Sequence, residues 1–389
     1  MPRVARVSLI VGLALVAGVL LWQALERPPV PAEKSFPLAQ LLSIDEDGFA
    51  RADKHWEFRF PDDHGAHPEF RSETWSFTGN LEGPGGQRFG FQLALFRLAL
   101  SPDPGQRSSA WAANQIYGAQ FALTDASLGE FRAYERVSRA ALGLSGSSRE
   151  PLRVWLEDWS LEVRENREGQ SGFHLAVDAE DLALALRLDP KKPPLTQGDV
   201  DLLDAQPSGR GSFHFYFMPR LEVAGTLRVG DRDHRVRGTA WLDRAWGAVP
   251  LSRGQIALNR FALQLADGRD LLCLQLRRRD GSGTPIPSCL LVADDGSVRR
   301  FGRREIEMEA VGDWRSVVDG SSYPLHWRLT LPAEGLDLRI APVLENQELN
   351  LSLRLWRGAV KATGASQGDA AAGWGYLELS GYAGSAGSA

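Results

Sequence analysis

The chain has 389 residues, 43% hydrophobic and 24% charged, enough for two packed domains or one large β domain with a tail, and outside the disordered class. Its 44 Lys and Arg against 49 Asp and Glu give a net charge of -5, which argues against a dedicated nucleic-acid binder needing a basic face against phosphates, though it leaves room for a local basic patch. Two cysteines exclude a disulfide-rich scaffold and any multi-cysteine zinc or iron–sulfur site, and no cofactor or metal centre is expected.

Arg3 and Arg6 precede an uncharged apolar run from Val7 to Leu25. A helix over this run, rising about 1.5 Å per residue, covers roughly the 30 Å hydrocarbon core. Gln23-Ala24-Leu25-Glu26 offers no small-x-small cleavage site, and Pro28, Pro29 and Pro31 follow. Residues 1–31 are therefore expected to be a cytoplasmic tip and a retained single-pass transmembrane helix in the inner membrane. The body then lies in the periplasm, because the positive residues stay on the cytoplasmic side. Cleavage of the segment would instead make the body a secreted protein.

From residue 32 onward the pattern is β, and the excess of Trp, 12 against 3 Met, suits an aromatic-lined β protein. Phe36 to Leu42 is expected to form one or two helical turns. Period-2 alternation puts Trp155, Trp159, Leu161 and Val163 on one face, opposite Asp158, Ser160, Glu162 and Arg164. It recurs at Leu182, Leu184, Leu186 and Leu188, and at Leu349, Leu351, Leu353 and Leu355. Turns are expected at Gly85-Gly86, Asp267-Gly268, Asp280-Gly281 and Asp295-Gly296. Many short strands with tight turns mean closed or sandwiched antiparallel sheets. The Pro- and Gly-rich stretch 191–209 sets the expected boundary: domains at 32–200 and 201–383, with a flexible tail at 384–389. Trp75-Ser76-Phe77 with Phe89-Gly90-Phe91-Gln92-Leu93 echoes Phe261-Ala262-Leu263-Gln264-Leu265 with Leu271-Leu272-Cys273-Leu274. The echo fits either duplication or shared hairpin grammar.

The nucleotide-binding, zinc-protease and serine-hydrolase motifs are missing from the sequence. His64-x-x-His67 sits in a Pro- and Gly-rich stretch without a nearby Cys, so a metal there is not expected. Cys273 and Cys289 lie equally far from Gly281 and could face each other across a hairpin, forming a disulfide in an oxidising compartment; Pro285 and Pro287 oppose a regular register. The densest chemistry is Gly238-Thr239-Ala240-Trp241-Leu242-Asp243-Arg244-Ala245-Trp246-Gly247. Trp241 and Asp243, two apart on a strand, share a face. An acid beside an indole in an apolar barrel loses solvation, its pKa rises, and it can donate a proton near neutral pH. The competing reading pairs Asp243 with Arg244, Arg237 or a turn amide.

With its neighbours this block resembles the AttH family, which includes the carotenoid 1,2-hydratases (hydroxyneurosporene synthases). The resemblance is carried in order by His67-Pro68-Glu69-Phe70-Arg71 with Trp75 to Leu81, Glu135 to Arg139, Val154 to Trp159, Tyr216 to Leu221 and Trp241 to Gly247. Tyr323 to Trp327, Trp356 to Val360 and Gly375 to Tyr382 complete it. It implies two tandem lipocalin-like antiparallel β-barrel domains, and an ABC-type permease of the envelope as a common neighbour. The hydratase branch's pairs for adding water to an alkene fall here on His214 with Tyr216, and on Trp241 with Asp243. Departures cut against that chemistry: Asn259 stands in a stretch where the family carries an acid, Gln120 where it has His, and Trp356-Arg357-Gly358 where Trp-Glu-Gly is common. Two functions follow as expectations. One is a membrane-anchored envelope protein that binds an apolar or amphipathic molecule, with Trp75, Trp155, Trp241, Asn259 and Glu378 as ligand contacts. The alternative is a hydratase or lyase acting on an isoprenoid-like alkene. There Asp243 is the general acid, His214 its partner, and Trp241 and Tyr216 stabilise a carbocation.

Overall fold

The computed structural model describes residues 48–52, 55–102, 113–165, 169–196, 213–247, 256–278 and 285–383. The expected anchor, the turns at Phe36 to Leu42, the Asp280-Gly281 turn and the tail lie outside the described residues. Among those residues no helix is long and apolar enough to cross a membrane. The fold is all-β.

Twelve described strands form the first sheet. They are β1 (Ser72–Glu82), β2 (Arg88–Ala99), β3 (Gln115–Asp125), β4 (Glu130–Arg139), β5 (Ser145–Arg149), β6 (Leu152–Leu156), β7 (Trp159–Glu165), β8 (Ser171–Ala179), β9 (Leu182–Pro190), β10 (Leu195–Thr196), β11 (Phe213–Val229) and β12 (Arg232–Gly247). Ten form the second: β13 (Ile256–Leu265), β14 (Asp270–Arg278), β15 (Ile286–Val292), β16 (Val298–Phe301), β17 (Glu307–Arg315), β18 (Ser322–Leu331), β19 (Leu336–Pro342), β20 (Glu348–Asn350), β21 (Arg354–Ser366) and β22 (Asp369–Leu379). The first runs β4-β3-β2-β1-β12-β11-β9-β8-β7-β6-β5 with β10 beside β11; the second runs β16-β15-β14-β13-β22-β21-β19-β18-β17 with β20 beside β21. Apart from β5 and β6 the two orders are the same, so the echoing hairpins β1–β2 and β13–β14 occupy equivalent places in a repeated topology.

All ladders are antiparallel, and each sheet curls into a nearly closed barrel. Across the open edge of the first, Arg136 pairs with Asp158 and donates from Nη2 to Asp178 O (2.9 Å), and Tyr134 Oη donates to Asp181 Oδ1 (3.0 Å). Bending the long strands brings backbones close where only glycine fits: a Cβ at Gly225 on β11 would lie 2.1 Å from Ala185 O, and one at Gly364 on β21 would lie 1.9 Å from Asp337 O. Both interiors are filled by side chains. Phe77, Phe91, Leu93, Leu161 and Leu188 are fully buried in the first, and Phe261, Leu263, Leu329, Leu338 and Leu377 in the second. Each such side chain contributes about 1.5–3 kcal/mol to folding.

Three expectations change. The sheets change over between Gly247 and Ile256, not at 200/201, because β11 and β12 return after the Pro-rich stretch to pair with β9 and β1 and complete the first sheet. The Trp155 to Val163 run is broken by a turn at Glu157 and Asp158, so Val154 and Leu156 point inward and Trp155 outward, away from Trp159. The leucines from 349 to 355 likewise bend between β20 and β21, where Leu349 pairs with Leu355.

Both sheets belong to one unit of the chain. The outer face of β1, β2, β11 and β12 packs on the outer face of β13, β14, β21 and β22. Phe215 and Trp241 meet Ala262, Leu272 and Leu274 there. Gln264 Nε2 donates to Pro219 O (2.7 Å) and Ala240 O (2.9 Å), and Asn80 Nδ2 to Gly375 O (3.1 Å).

Candidate functional site

The spacing of two puts His214 and Tyr216 on one face of β11, and Trp241 and Asp243 on one face of β12. The register between the strands then separates the pairs. His214 lies opposite Trp246 and Tyr216 opposite Arg244, facing the first barrel's interior, whereas Asp243 lies opposite Phe217 and faces the second sheet. The four residues expected to act together stand on opposite sides of one sheet.

On the inner side, residues 55–71 fold over the barrel mouth. The 3-10 turn Asp62–His64 brings His64 Nδ1 to 2.7 Å from Tyr216 Oη, and Trp75 Nε1 donates to His64 O (2.8 Å). Beneath it Glu73, fully buried, accepts Arg97 Nε at 2.5 Å and binds Arg244 Nη2. His67 bridges two carboxylates, with Nδ1 3.2 Å from Glu73 Oε2 and Nε2 3.0 Å from Asp63 Oδ1, and it stacks on Trp246 at 4.0 Å. The Arg244 guanidinium lies 3.9 Å above the Trp75 ring, a cation–π contact in a dry site.

Burial raises the Glu73 carboxyl, but Arg244 and Arg97 outweigh it and hold the group far below the usual range. Burial also raises Asp63; hydrogen bonds from His67 and the Arg59 N–H bring it below its ordinary value. Burial first, then the charge of Arg244, pushes His64 down to about 3, so the imidazole is neutral. Burial pushes the Tyr216 phenol up. This arrangement is a lock more than an acid–base centre: every strong group is neutralised by a partner. Outside it lies a cleft of about 860 Å³ lined by Trp56, Arg59, Asp63, His67, Arg149 and Leu152 among others.

On the outer side, a row of alternating charge lies between the sheets. Asp243 Oδ1 accepts Trp241 Nε1 (3.1 Å) and Arg260 Nη2 (2.6 Å), so its partner is Arg260 of the second sheet and not Arg244, Arg237 or a turn amide. Arg260 neighbours Glu378, which neighbours Arg357, whose Nη2 donates to Ser76 Oγ (2.7 Å) on the first sheet. Burial pushes the Asp243 carboxyl above its usual range, against the pull of Arg260 and Arg357. The row is not sealed: the Asp243 side chain is 20% exposed and that of Glu378 19%.

The residues expected to contact a ligand therefore divide. Trp241 and Glu378 join Asp243 in the row. Trp75 is in the first mouth. Asn259 is at the second barrel's mouth, where Nδ2 donates to Gln275 Oε1 (2.9 Å) and Oδ1 accepts Tyr382 Oη (3.0 Å). Trp155 is at the outer edge, donating to Gly143 O (3.0 Å). Cys273 and Cys289 pair directly across β14 and β15 and are joined by a disulfide. Among the described residues no three His, Cys, Asp or Glu side chains are arranged to hold a metal. Glu135 joins Gln120 and Ser352, which lies between β20 and β21. Sequence reasoning missed Glu73, Arg97, Arg260 and Arg357 as site residues; for Arg97 and Arg260 the signal was a charge inside a largely apolar strand.

The AttH-like family model matches residues 51–382. A crystal structure of a protein assigned as AttH from Nitrosomonas europaea is 30% identical, with a TM-score of 0.73 over 86% of this chain and 100% of that one. Kievitone hydratase from Nectria haematococca shares the fold at 13% identity, with a TM-score of 0.60 over 87% and 97% of the two chains. CghA crystallised with Sch210972 does so at 15% identity and a TM-score of 0.52, over 86% and 96%. No curated protein matches. The chain belongs to the AttH-like family.

Proposed function

We propose that this AttH-like chain is a binding protein of the cell envelope. It is held in the inner membrane by its N-terminal apolar run, with its body in the periplasm, and takes an apolar or amphipathic ligand in the seam between its sheets beside an ABC-type permease. The observation that carries the reading is the seam. Its charged row is partly open, and one step along the strands Phe96 and Ala245 of the first sheet and Leu258 and Leu355 of the second are only half-buried. Apolar walls with a few orienting polar groups suit such a ligand. The barrel interiors, by contrast, are already occupied by side chains.

Native mass spectrometry of the full chain, purified gently from its own membranes, tests this. A retained molecule of defined mass, released unchanged, is expected. An empty protein that also fails to bind an apolar dye would overturn it.

A second reading, a hydratase or lyase on an isoprenoid-like alkene, draws on the raised proton affinity of Asp243 beside Trp241 and on the fold shared with a hydratase. It must act without His214 and Tyr216, which lie behind the sheet. A product heavier by one water, lost in Asp243→Asn, would establish it over binding alone.

A further inference from the structure

We infer that the seam selects an apolar molecule whose head is uncharged and both donates and accepts hydrogen bonds, such as an alcohol; the inference rests on the binding reading above. The row contains two carboxylates, Asp243 and Glu378, and two guanidinium groups, Arg260 and Arg357, so its formal charges cancel. An ionic head brought into this row would add an uncompensated charge to a largely desolvated place. An ammonium would meet Arg260 and Arg357, and a carboxylate would meet Asp243 and Glu378.

The hydrogen-bonding capacity left in the row is also of both kinds. Asp243 takes both of its bonds on Oδ1, which leaves Oδ2 as an acceptor without a protein partner among the described residues. Arg260 spends Nη2 on Asp243 and is 92% buried by side-chain area (8% exposed), yet its Nη1 makes no hydrogen bond. Arg357 Nε lies 3.1 Å from Glu378 Oε2 and is held in that ion pair, so the open donor of the row is Arg260 Nη1. A buried donor left unmet is costly, so an oxygen that fills it gains more than its area alone suggests. A hydroxyl can accept from a guanidinium N–H and donate to Asp243 Oδ2. Neither a carboxylate nor an ammonium can do both. The half-buried Phe96, Ala245, Leu258 and Leu355 then hold the chain that carries this head.

The test uses the full chain in nanodiscs, with Nile red displaced by dodecanol, dodecanoate or dodecylamine at neutral pH. Dodecanol is expected to displace the dye about tenfold more tightly than either ionic probe, and Asp243→Asn to shift the preference toward dodecanoate by about tenfold, because Arg260 then lacks its carboxylate. Dodecanoate or dodecylamine equal to or tighter than dodecanol on the native protein would overturn the inference while leaving the binding reading intact. Nile red that does not bind at all would overturn both. The ranking on the native chain decides the matter even if the variant does not fold.

Discussion

In the mouth of the first barrel, Glu73 is shared by two guanidinium groups and an imidazole, none of them in solvent. The corresponding end of the second barrel is built around Glu348, which among the described residues meets one guanidinium, that of Arg354. Its Oε1 accepts Tyr323 Oη (2.9 Å) and Arg354 Nε (2.9 Å), its Oε2 accepts Ser316 Oγ (2.5 Å), and Arg354 has a further carboxylate in Asp319 at 2.7 Å. The second barrel carries the disulfide, and among the described residues the first adds β5 and β6 and the segment 55–71 over its mouth. One repeated topology is thus locked at one end by buried charge and stapled in the other barrel by a covalent bond. Buried charge fixes a single geometry but makes stability depend on every partner being present, whereas a cross-link acts largely through the unfolded chain.

The contrast can be broken most directly at the two glutamates. Glu73→Gln leaves Arg97 and Arg244 buried without their carboxylate and should cost about 3–5 kcal/mol. Glu348→Gln, whose arginine keeps Asp319, should cost about 1–2 kcal/mol. Equal midpoint shifts in urea unfolding would mean the two mouths are energetically alike. Next comes Cys273→Ser with Cys289→Ser, which opens a loop of sequence separation 16. A loss of about 2–4 kcal/mol is expected. Hydrogen exchange should place it in β14 and β15 and leave β1 and β2 protected; uniform loss would show that the barrels unfold as one.

His64 sharpens the comparison through pH. Its folded pKa, about 3, lies below the ordinary 6.5, so between these values the unfolded chain binds a proton that the folded chain does not. Stability should therefore fall as pH drops from 6.5, by about 2 kcal/mol at pH 5 from this group alone. Asp63 and Glu73, both lowered, act in the same direction but at more acidic pH. Thermal melts of His64→Gln should lose the decline between pH 6.5 and 5; an unchanged slope would remove His64 as its source. The smallest effect is expected at the open edge of the first barrel. There Arg136 pairs with the exposed Asp158 and lies 4.7 Å over Trp159. Arg136→Ala should cost about 1 kcal/mol or less, and 0.5 M salt should erase part of it.

Much of the architecture was legible in the residues. Leu182 to Leu188 alternate as a strand with one buried face, and β9 buries them so. The AttH-like blocks pointed to a family that the family model confirms. The candidate site was legible only in part. Spacing of two correctly joined His214 to Tyr216 and Trp241 to Asp243, but spacing within a strand carries no information about the register between strands. Around β1, β2, β11 and β12 both faces are buried, one by the barrel's own core and one by the other sheet. Polarity therefore does not tell inside from outside, and Trp155 departs from its expected face because Glu157 and Asp158 turn the chain between β6 and β7.

By itself the sequence determined an all-β chain, the family and the residue types available for chemistry, because alternation and local motifs are properties of consecutive residues. Only the tertiary structure decided which charges meet. Asp243 finds Arg260 seventeen positions on, and Glu73 finds Arg244 across 171 positions, through antiparallel pairing and sheet-on-sheet contact. The ionisation of a buried group is set by such partners and by lost solvent, and neither is written in its neighbours along the chain.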